Sequence, residues 1–428
     1  MTVRTVPASV GQRLLWLLDH YRDDGGALNE SLAWRIKGHL DLDALQRALD
    51  ALVTRHEALR TTFAGSAGRL LQTIHPPDPT PFTVSDIAPG DGGDQLEDLV
   101  RTEVEARIDP TNLPLRVGLW RLDVDDHVLF LSISHLVTDH QSNAIVATDL
   151  AAFYSAFAGG TDLDLPMIEW QYADWAEWQR TSLTGEKLAR LQAHWGRVLA
   201  EARPIELPDF ATGAVAGERA YERRRLGADV AGALAGIAEE YDSSPFAVAL
   251  AAFYVHLYSL TGQSDIVVGS LFANRANKEI LHTVGFFVNL LALRGRISPD
   301  KRFAEVLCDV TATAKCAMAN QELPHHMLPA GTVHAHRVIF QFIEGEPRPA
   351  ARARMRGLEL TPIERRSDRA RFTLELFVAC AHDHVSPVLL YDRSRVDDTW
   401  AAGFADGYAR LLSTLASAPT ATVGALLS

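Results

Sequence analysis

Cysteine is nearly absent from these 428 residues, with only Cys308, Cys316 and Cys380 present. Three thiols cannot form a fully paired disulfide framework, so stability has to come from packing, and a reducing cytoplasm is the compartment this composition predicts. Positive charge is also short. Lys and Arg number 41 against 54 Asp and Glu, a formal net charge of -13. A nucleic-acid binder needs a basic face to neutralise phosphates, and one short Arg-rich segment does not supply it. Apolar runs are interrupted by polar residues well before a bilayer-spanning length, so no membrane segment is expected. The start, Met1-Thr2-Val3-Arg4-Thr5, lacks the charged head and apolar core of a secretion signal.

What is present is an ordinary globular balance, 47% hydrophobic and 22% charged, in a chain long enough for two lobes rather than one core. Helix and strand signals alternate without an internal repeat. Asp41 can cap a helix whose apolar face runs Leu45, Leu49, Leu52 and Leu59, with His56 on the same face as a buried structural residue. Val128 to Ser134 reads as an inner strand and Asn143 to Phe157 as the helix that follows. The Gly159–Pro166 stretch, rich in Gly, Asp and Pro, breaks the pattern, and the lobe boundary is expected shortly after it, giving lobes 1–172 and 173–428. Beyond it, Val230, Leu234 and Ile237 mark a helix. Ser244-Pro245 starts another that stops at Thr261-Gly262. Asp265 to Gly269, Leu374 to Val378 and Val388 to Tyr391 read as strands, and Trp400, Phe404, Tyr408, Leu411 and Leu415 as a terminal amphipathic helix. The fold class is α/β, with mixed sheets covered by helices in both lobes.

Where the strand ending at Ser134 gives way to a helix, the chain runs Ser134-His135-Leu136-Val137-Thr138-Asp139-His140-Gln141-Ser142. A histidine at a strand end can be held open to a cleft by the turn that follows. A His with an Asp four positions on is weak evidence alone, since 16 histidines give about one such pair by chance. Four other segments add context. They are Pro7 to Trp16 (PASVGQRLLW), Arg55 to Phe63 (RHEALRTTF), Tyr172 to Gln179 (YADWAEWQ), and Ala273-Asn274-Arg275 followed by Gly285 to Arg294 (GFFVNLLALR). In this order they resemble the motifs of condensation domains of nonribosomal peptide synthetases, in the chloramphenicol acetyltransferase-like superfamily. Arg371-Phe372-Thr373-Leu374 weakly continues the likeness, which covers essentially the whole chain.

The resemblance implies a V-shaped pseudo-dimer of two acetyltransferase-like lobes, with a tunnel reached by the phosphopantetheine arms of carrier proteins. The expected function is a freestanding condensation enzyme that moves an acyl or aminoacyl group from a carrier-protein thioester to a small or carrier-bound amine. No intrinsic cofactor is expected, and a monomer suffices. The family motif H-H-x-x-x-D-G places its second histidine on His135, the expected catalytic residue. Ser134, Asp139 and Arg294 are expected to support the motif, with Arg294 pairing Asp139. His140, Ser142, Asn289 and Gln341 are candidate substrate-binding residues.

Two departures lie in the motif: Ser134 replaces its first histidine and His140 its glycine. His140 can narrow the acceptor channel, bind a substrate carboxylate, or mark a lost activity, and the last leaves open a second class of function, a catalytically silent module that recruits a partner protein. Heterocyclising relatives carry D-x-x-x-x-D-x-x-S, of which Asp139 and Ser142 remain, so cyclising and ester-forming variants also stay open. Further on, Asn320 to Pro324 keeps half of the family's H-Q-x-x-P-F-E motif before His325-His326. His325, His326, His334 and His336 have no standard metal-ligand spacing, and no metal site is assigned. The segment containing Arg348, Arg352, Arg354, Arg356, Arg365, Arg366 and Arg369 reads as a solvated face or as a dock for an acidic carrier protein or a phosphopantetheine phosphate.

Overall fold

A computed structural model describes residues 2–20, 28–66, 69–87, 94–160, 162–208, 210, 214, 217–329, 337–345, 350, 353–363 and 369–428. The chain divides into two units, and the division is not one cut. The first contains 1–184, 273–288 and 348–367, and the second contains 185–272, 289–347 and 368–428. The expected boundary at 172 is therefore corrected twice. The helix that begins at Tyr172 stays with the first unit because its ring is packed there, and two later segments return to that unit.

In chain order the strands are β1 (Arg4–Pro7), β2 (Asn29–Lys37), β3 (Thr61–Ser66), β4 (Arg69–Ile74), β5 (Phe82–Asp86), β6 (Leu115–Asp123) and β7 (Asp126–Ser134). They continue as β8 (Arg219–Arg223), β9 (Asp265–Phe272), β10 (Asn289–Arg296), β11 (Val338–Glu344), β12 (Glu359–Pro362), β13 (Leu374–Ala381) and β14 (His384–Asp392). Among the described residues the first unit holds a small sheet in the order β1-β4-β3 and a mixed five-stranded sheet in the order β12-β2-β7-β6-β5. Its helices are α1 (Val10–His20), α2 (Leu42–Arg55), α3 (Asp94–Glu105), α4 (His140–Gly159) and α5 (Tyr172–Ser182).

Strand β7 is buried on both faces because helices cover both sides of its sheet. Leu129, Leu131 and Ile133 point into the main core with Leu45, Leu49 and Leu52 of α2 and Val146 and Leu150 of α4. Val128 and Phe130 meet Val100 and Val104 of α3 on the other face. Such burial erases the two-residue alternation of a half-exposed strand and leaves a continuous apolar run. Asp41 caps α2 as expected, accepting from Ala44 N at 3.0 Å. The helix stops at Arg55, so His56 and Leu59 do not continue its face; Leu59 lies in the single 3-10 turn Glu57–Arg60. His56 is fully buried, and its Nε2 lies 2.8 Å from Asp149, which also accepts from Arg55.

In the second unit a mixed six-stranded sheet runs β10-β9-β11-β13-β14-β8. Its helices are α6 (Gly185–Val198), α7 (Ala228–Glu240), α8 (Pro245–Thr261), α9 (Phe303–Ala319), α10 (Asp398–Ser417) and α11 (Val423–Leu427). Helix α8 begins at the Ser244 cap with Pro245 at its first position and ends at Gly262, whose φ of 68° suits a residue without Cβ. It is apolar all round because Ala247 to Leu257 are all buried. No single described helix is long and apolar enough to cross a membrane. All three cysteines are free.

His256 on α8 is 4% exposed, with its ring edge on Phe404 and Nε2 donating to the Phe404 carbonyl at 3.0 Å. Burial lowers its pKa from 6.5 to about 4. A depressed histidine keeps its native-state advantage above the unfolded value and loses it as pH falls, because the unfolded chain takes up the proton first. The loss should fall between pH 6.5 and about 4 and approach roughly 3 kcal/mol. Chemical denaturation across that range should show it, and His256→Asn should flatten the dependence.

Candidate active site

The turn after β7 is built from local hydrogen bonds. Val137 N donates to the Ser134 carbonyl at 3.0 Å, and Ser134 Oγ accepts from Leu136 N at 3.4 Å, so Ser134 serves the turn as a short polar residue should. Gln12, fully buried in α1, donates from Nε2 to the Leu136 carbonyl at 3.0 Å. That contact gives the glutamine of the opening motif a structural reason. His135 continues the β2–β7 ladder by one step, its N–H bonding the Leu28 carbonyl at 2.8 Å.

The His135 side chain is 12% exposed, and its Nδ1 lies 2.7 Å from the Thr138 carbonyl. A carbonyl only accepts, so Nδ1 carries the proton and Nε2 of the neutral ring is a hydrogen-bond acceptor. The Phe286 ring meets the imidazole edge-on at a centroid distance of 5.1 Å. Nε2 faces Glu30, whose Oε1 is 3.6 Å away.

Asp139 caps α4 and is 3% exposed. Its Oδ1 accepts from Ser142 N at 2.7 Å and its Oδ2 from Phe287 N at 3.0 Å, and Arg275 Nη2 stands 3.4 Å from Oδ1. The expected Asp139–Arg294 pair is therefore corrected. Arg275 is the partner, and Arg294 makes a fork to Asp265 in the second unit at 2.7 and 2.5 Å. Arg275 also donates to the carbonyls of Ile280 and Thr283, at 2.7 and 2.8 Å, and lies over the Phe287 ring at 4.1 Å. Burial lowers its pKa against the pull of Asp139, but a guanidinium remains charged.

Two candidate substrate-binding residues are corrected as well. Ser142 is fully buried; its Oγ donates to the Gly285 carbonyl at 2.7 Å and accepts from Gly285 N at 3.1 Å and Arg275 at 2.7 Å. That hydroxyl latches α4 to the 285–287 segment and has no capacity left for substrate. Asn289 donates from Nδ2 to the carbonyls of Gln321 and Leu323 and accepts from His325 N, so its amide is spent holding that loop. Gln341 is half-buried on β11 in the second unit. His140 is the exposed first residue of α4. Its backbone is not among the described positive-φ residues, so the position makes no conformational demand for glycine. Gly285 does have a steric demand, since an added Cβ would lie 1.9 Å from Tyr172 Cδ2. Tyr172 is held there by donating to the Phe286 carbonyl at 2.7 Å.

Among the described residues no group of three His, Cys, Asp or Glu is placed to hold a metal. His334 and His336 lie outside the described residues, as do Arg348, Arg352, Arg365 and Arg366. Glu30 was missed by sequence reasoning, although one signal existed. It sits in the same alternate column of β2 as Leu32, Trp34 and Ile36, which are at most 2% exposed, so a carboxylate there interrupts a core-facing row.

The family model described as "Condensation domain" matches residues 3–428. The chain belongs to that family. Phosphinothricin tripeptide synthetase PhsC of Streptomyces viridochromogenes is 36% identical over 330 residues, covering 76% of this chain and 30% of that protein. Chondramide synthase cmdD of Chondromyces crocatus is 29% identical over 98% of the chain and 11% of its own length. The chain thus spans less than a third of either relative. Among solved structures, the X-domain in complex with OxyB from teicoplanin biosynthesis is similar with a TM-score of 0.85 and 25% identity, covering 99% of this chain and 96% of that one. SgcC5 from Streptomyces globisporus, solved with a naphthyl ethanediol and sucrose, aligns at 0.79 with 26% identity over 97% and 100%. The expected α/β fold class and condensation-domain membership both hold.

Removing one partner of a buried charge pair leaves the other uncompensated, at about 3–5 kcal/mol. Asp139→Ala should lose stability on that scale in denaturant titrations. A double-mutant cycle should couple Asp139 to Arg275 by about 1 kcal/mol or more, while Arg294→Ala should couple to Asp265→Ala instead.

Proposed function

We propose that this condensation domain is an acyltransferase joining a carrier-bound acyl or aminoacyl thioester to an amine. The observation that carries the reading is the His135 Nδ1 contact with the Thr138 carbonyl, which fixes the tautomer and turns a basic Nε2 away from the backbone. Acyl transfer from a thioester needs no protein nucleophile, because the acyl group arrives activated. The amine lone pair forms the C–N bond, Nε2 takes a proton from that nitrogen, and the C–S bond breaks with the proton passing to the departing sulfur. Asp139, Ser142 and Arg275 are positioning residues that hold the turn carrying the imidazole. The phosphopantetheine thioester and its carrier protein are substrate and partner in this reading. His140, at the exposed end of α4, flanks the imidazole in sequence and remains the candidate for contact with substrate polar groups.

A second reading, a module that recruits a partner protein, draws support from the similarity to the X-domain solved with OxyB. The intact turn and tautomer around His135 favour catalysis, and His140 introduces no backbone strain that would speak for a lost site.

Intact-mass analysis of an acyl-loaded carrier mixed with candidate amines tests the proposal. Wild type should discharge the carrier into amide, and His135→Ala should be slower by about 10²- to 10⁴-fold. Equal product from both proteins removes His135 from the chemistry, and no product from wild type with any acceptor favours the recruiting module.

A further inference from the structure

Phe286 lies in a segment whose backbone is held by buried hydrogen bonds at every residue. Gly285 N and the Gly285 carbonyl both bond Ser142 Oγ, the Phe286 carbonyl accepts from Tyr172 at 2.7 Å, and Phe287 N donates to Asp139 Oδ2 at 3.0 Å. The Phe287 ring is 1% exposed and packs on Tyr172 and Trp175, whereas Phe286 is half-buried and its ring meets His135. A backbone pinned at three successive residues leaves the Phe286 ring only its own side-chain torsions to move by.

Helix α1 limits those torsions. A Cβ added at Gly11 would lie 3.2 and 3.3 Å from Phe286 Cε1 and Cδ1, so the ring packs against bare backbone there. The same helix holds the turn that carries the imidazole, through the bond from Gln12 to the Leu136 carbonyl at 3.0 Å. The histidine has a use for such a neighbour. Rotation of an imidazole about its Cβ–Cγ bond is soft, and a hydrogen bond from Nδ1 to the Thr138 carbonyl sets the tautomer without walling in the plane of the ring. The Phe286 ring stands at 80° to that plane with centroids 5.1 Å apart, an aromatic contact that favours one relative orientation.

We propose that Phe286 is a positioning residue for acyl transfer: its ring, seated on the side-chain-free backbone of Gly11, fixes the plane of the His135 imidazole. The effect on rate rests on the acyl-transfer reading above, while the effect on the ring needs the geometry alone. Phe286 also gives the Asp139 network a route to the imidazole, because the carboxylate that accepts from Phe287 N sets the backbone from which the Phe286 ring projects.

The kinetic test uses octanoyl pantetheine thioester as donor and phenethylamine as acceptor. Phe286→Ala should lower kcat by about ten- to a hundredfold, the scale of a misplaced reacting group, with KM for either substrate changed by less than about threefold. Phe286→Leu, which refills the space, should recover part of the loss. Gly11→Ala should lower kcat by about threefold or more on its own and add nothing to Phe286→Ala, where no ring remains to displace. An unchanged kcat in Phe286→Ala, an effect confined to KM, or a Gly11→Ala cost equal in both backgrounds overturns the proposal. NMR of isotopically labelled histidine, with His135→Ala to assign the signal, needs no turnover. Wild type should show His135 as one Nδ1-protonated tautomer, and Phe286→Ala should show a mixture. A single unchanged tautomer in that variant overturns the proposal even where no transfer occurs, whereas a mixture beside an inactive wild type supports the positioning role and counts against the acyl-transfer reading instead. Gly11→Ala and Phe286→Leu carry the same two measurements, so a Phe286→Ala chain that fails to fold would not shield the idea.

Discussion

One buried carboxylate organises this site. Asp139 accepts from the amides of Ser142 and Phe287 and faces the Arg275 guanidinium, so a single side chain ties the turn after β7, the start of α4 and the 285–287 segment together. Taking two charges out of water is costly, and only complete pairing offsets it. The arrangement comes close to that condition: Arg275 spends its Nη1 on two carbonyls and its face on Phe287, and Ser142 joins guanidinium to backbone, while the buried Arg275 Nε has no hydrogen-bond partner. Remove the carboxylate and the guanidinium, the helix cap and the Phe287 amide all lose a partner. The imidazole geometry depends on this because Thr138, whose carbonyl fixes the His135 tautomer, is the residue immediately before Asp139.

A division of labour follows from burial. The residues that the motif brings together are mostly structural: Gln12 holds the turn, Ser142 latches the helix, Tyr172 fills the space that Gly285 leaves, and Arg275 neutralises Asp139. Each is buried and hydrogen-bonded, as polar groups away from water must be. His135 differs in being partly exposed with one nitrogen committed to the backbone. A sequence motif therefore marks a scaffold with one reactive group on it, and most of its letters describe the scaffold.

What was legible in the sequence follows the same line. Strand β7 and helices α4 and α8 could be read because their burial writes long apolar runs, and the Ser244, Pro245 and Gly262 signals act locally. Helix α2 was overextended through His56 and Leu59 because a 3-10 turn continues an apolar spacing for a few residues without continuing the helix. The partner of Asp139 was misread for a different reason. Motif order says that both Arg275 and Arg294 lie near functional segments, but not which one the chain folds back onto the turn. Arg294 sits on β10 paired to β9, whose first residue, Asp265, claims its guanidinium; Arg275 follows β9 in the segment that returns to the first unit. The single lobe cut failed on the same return, since no local composition announces it.

Glu30 illustrates the remaining gap between pattern and chemistry. In the sequence it is one acidic residue at the head of a strand, where charge is common. Only the pairing of β2 with β7, across about a hundred positions of chain, turns it toward the histidine and makes it the end of the column that runs through Leu32, Trp34 and Ile36. The same pairing explains why a carboxylate is tolerable there: the column leaves the packed interior at the site, so the charge stands at the edge of the apolar wall rather than inside it. The scaffold held by Asp139 and Arg275 thus presents the imidazole at an end of the sheet, where β2 can carry a charge without forcing it into the packed interior.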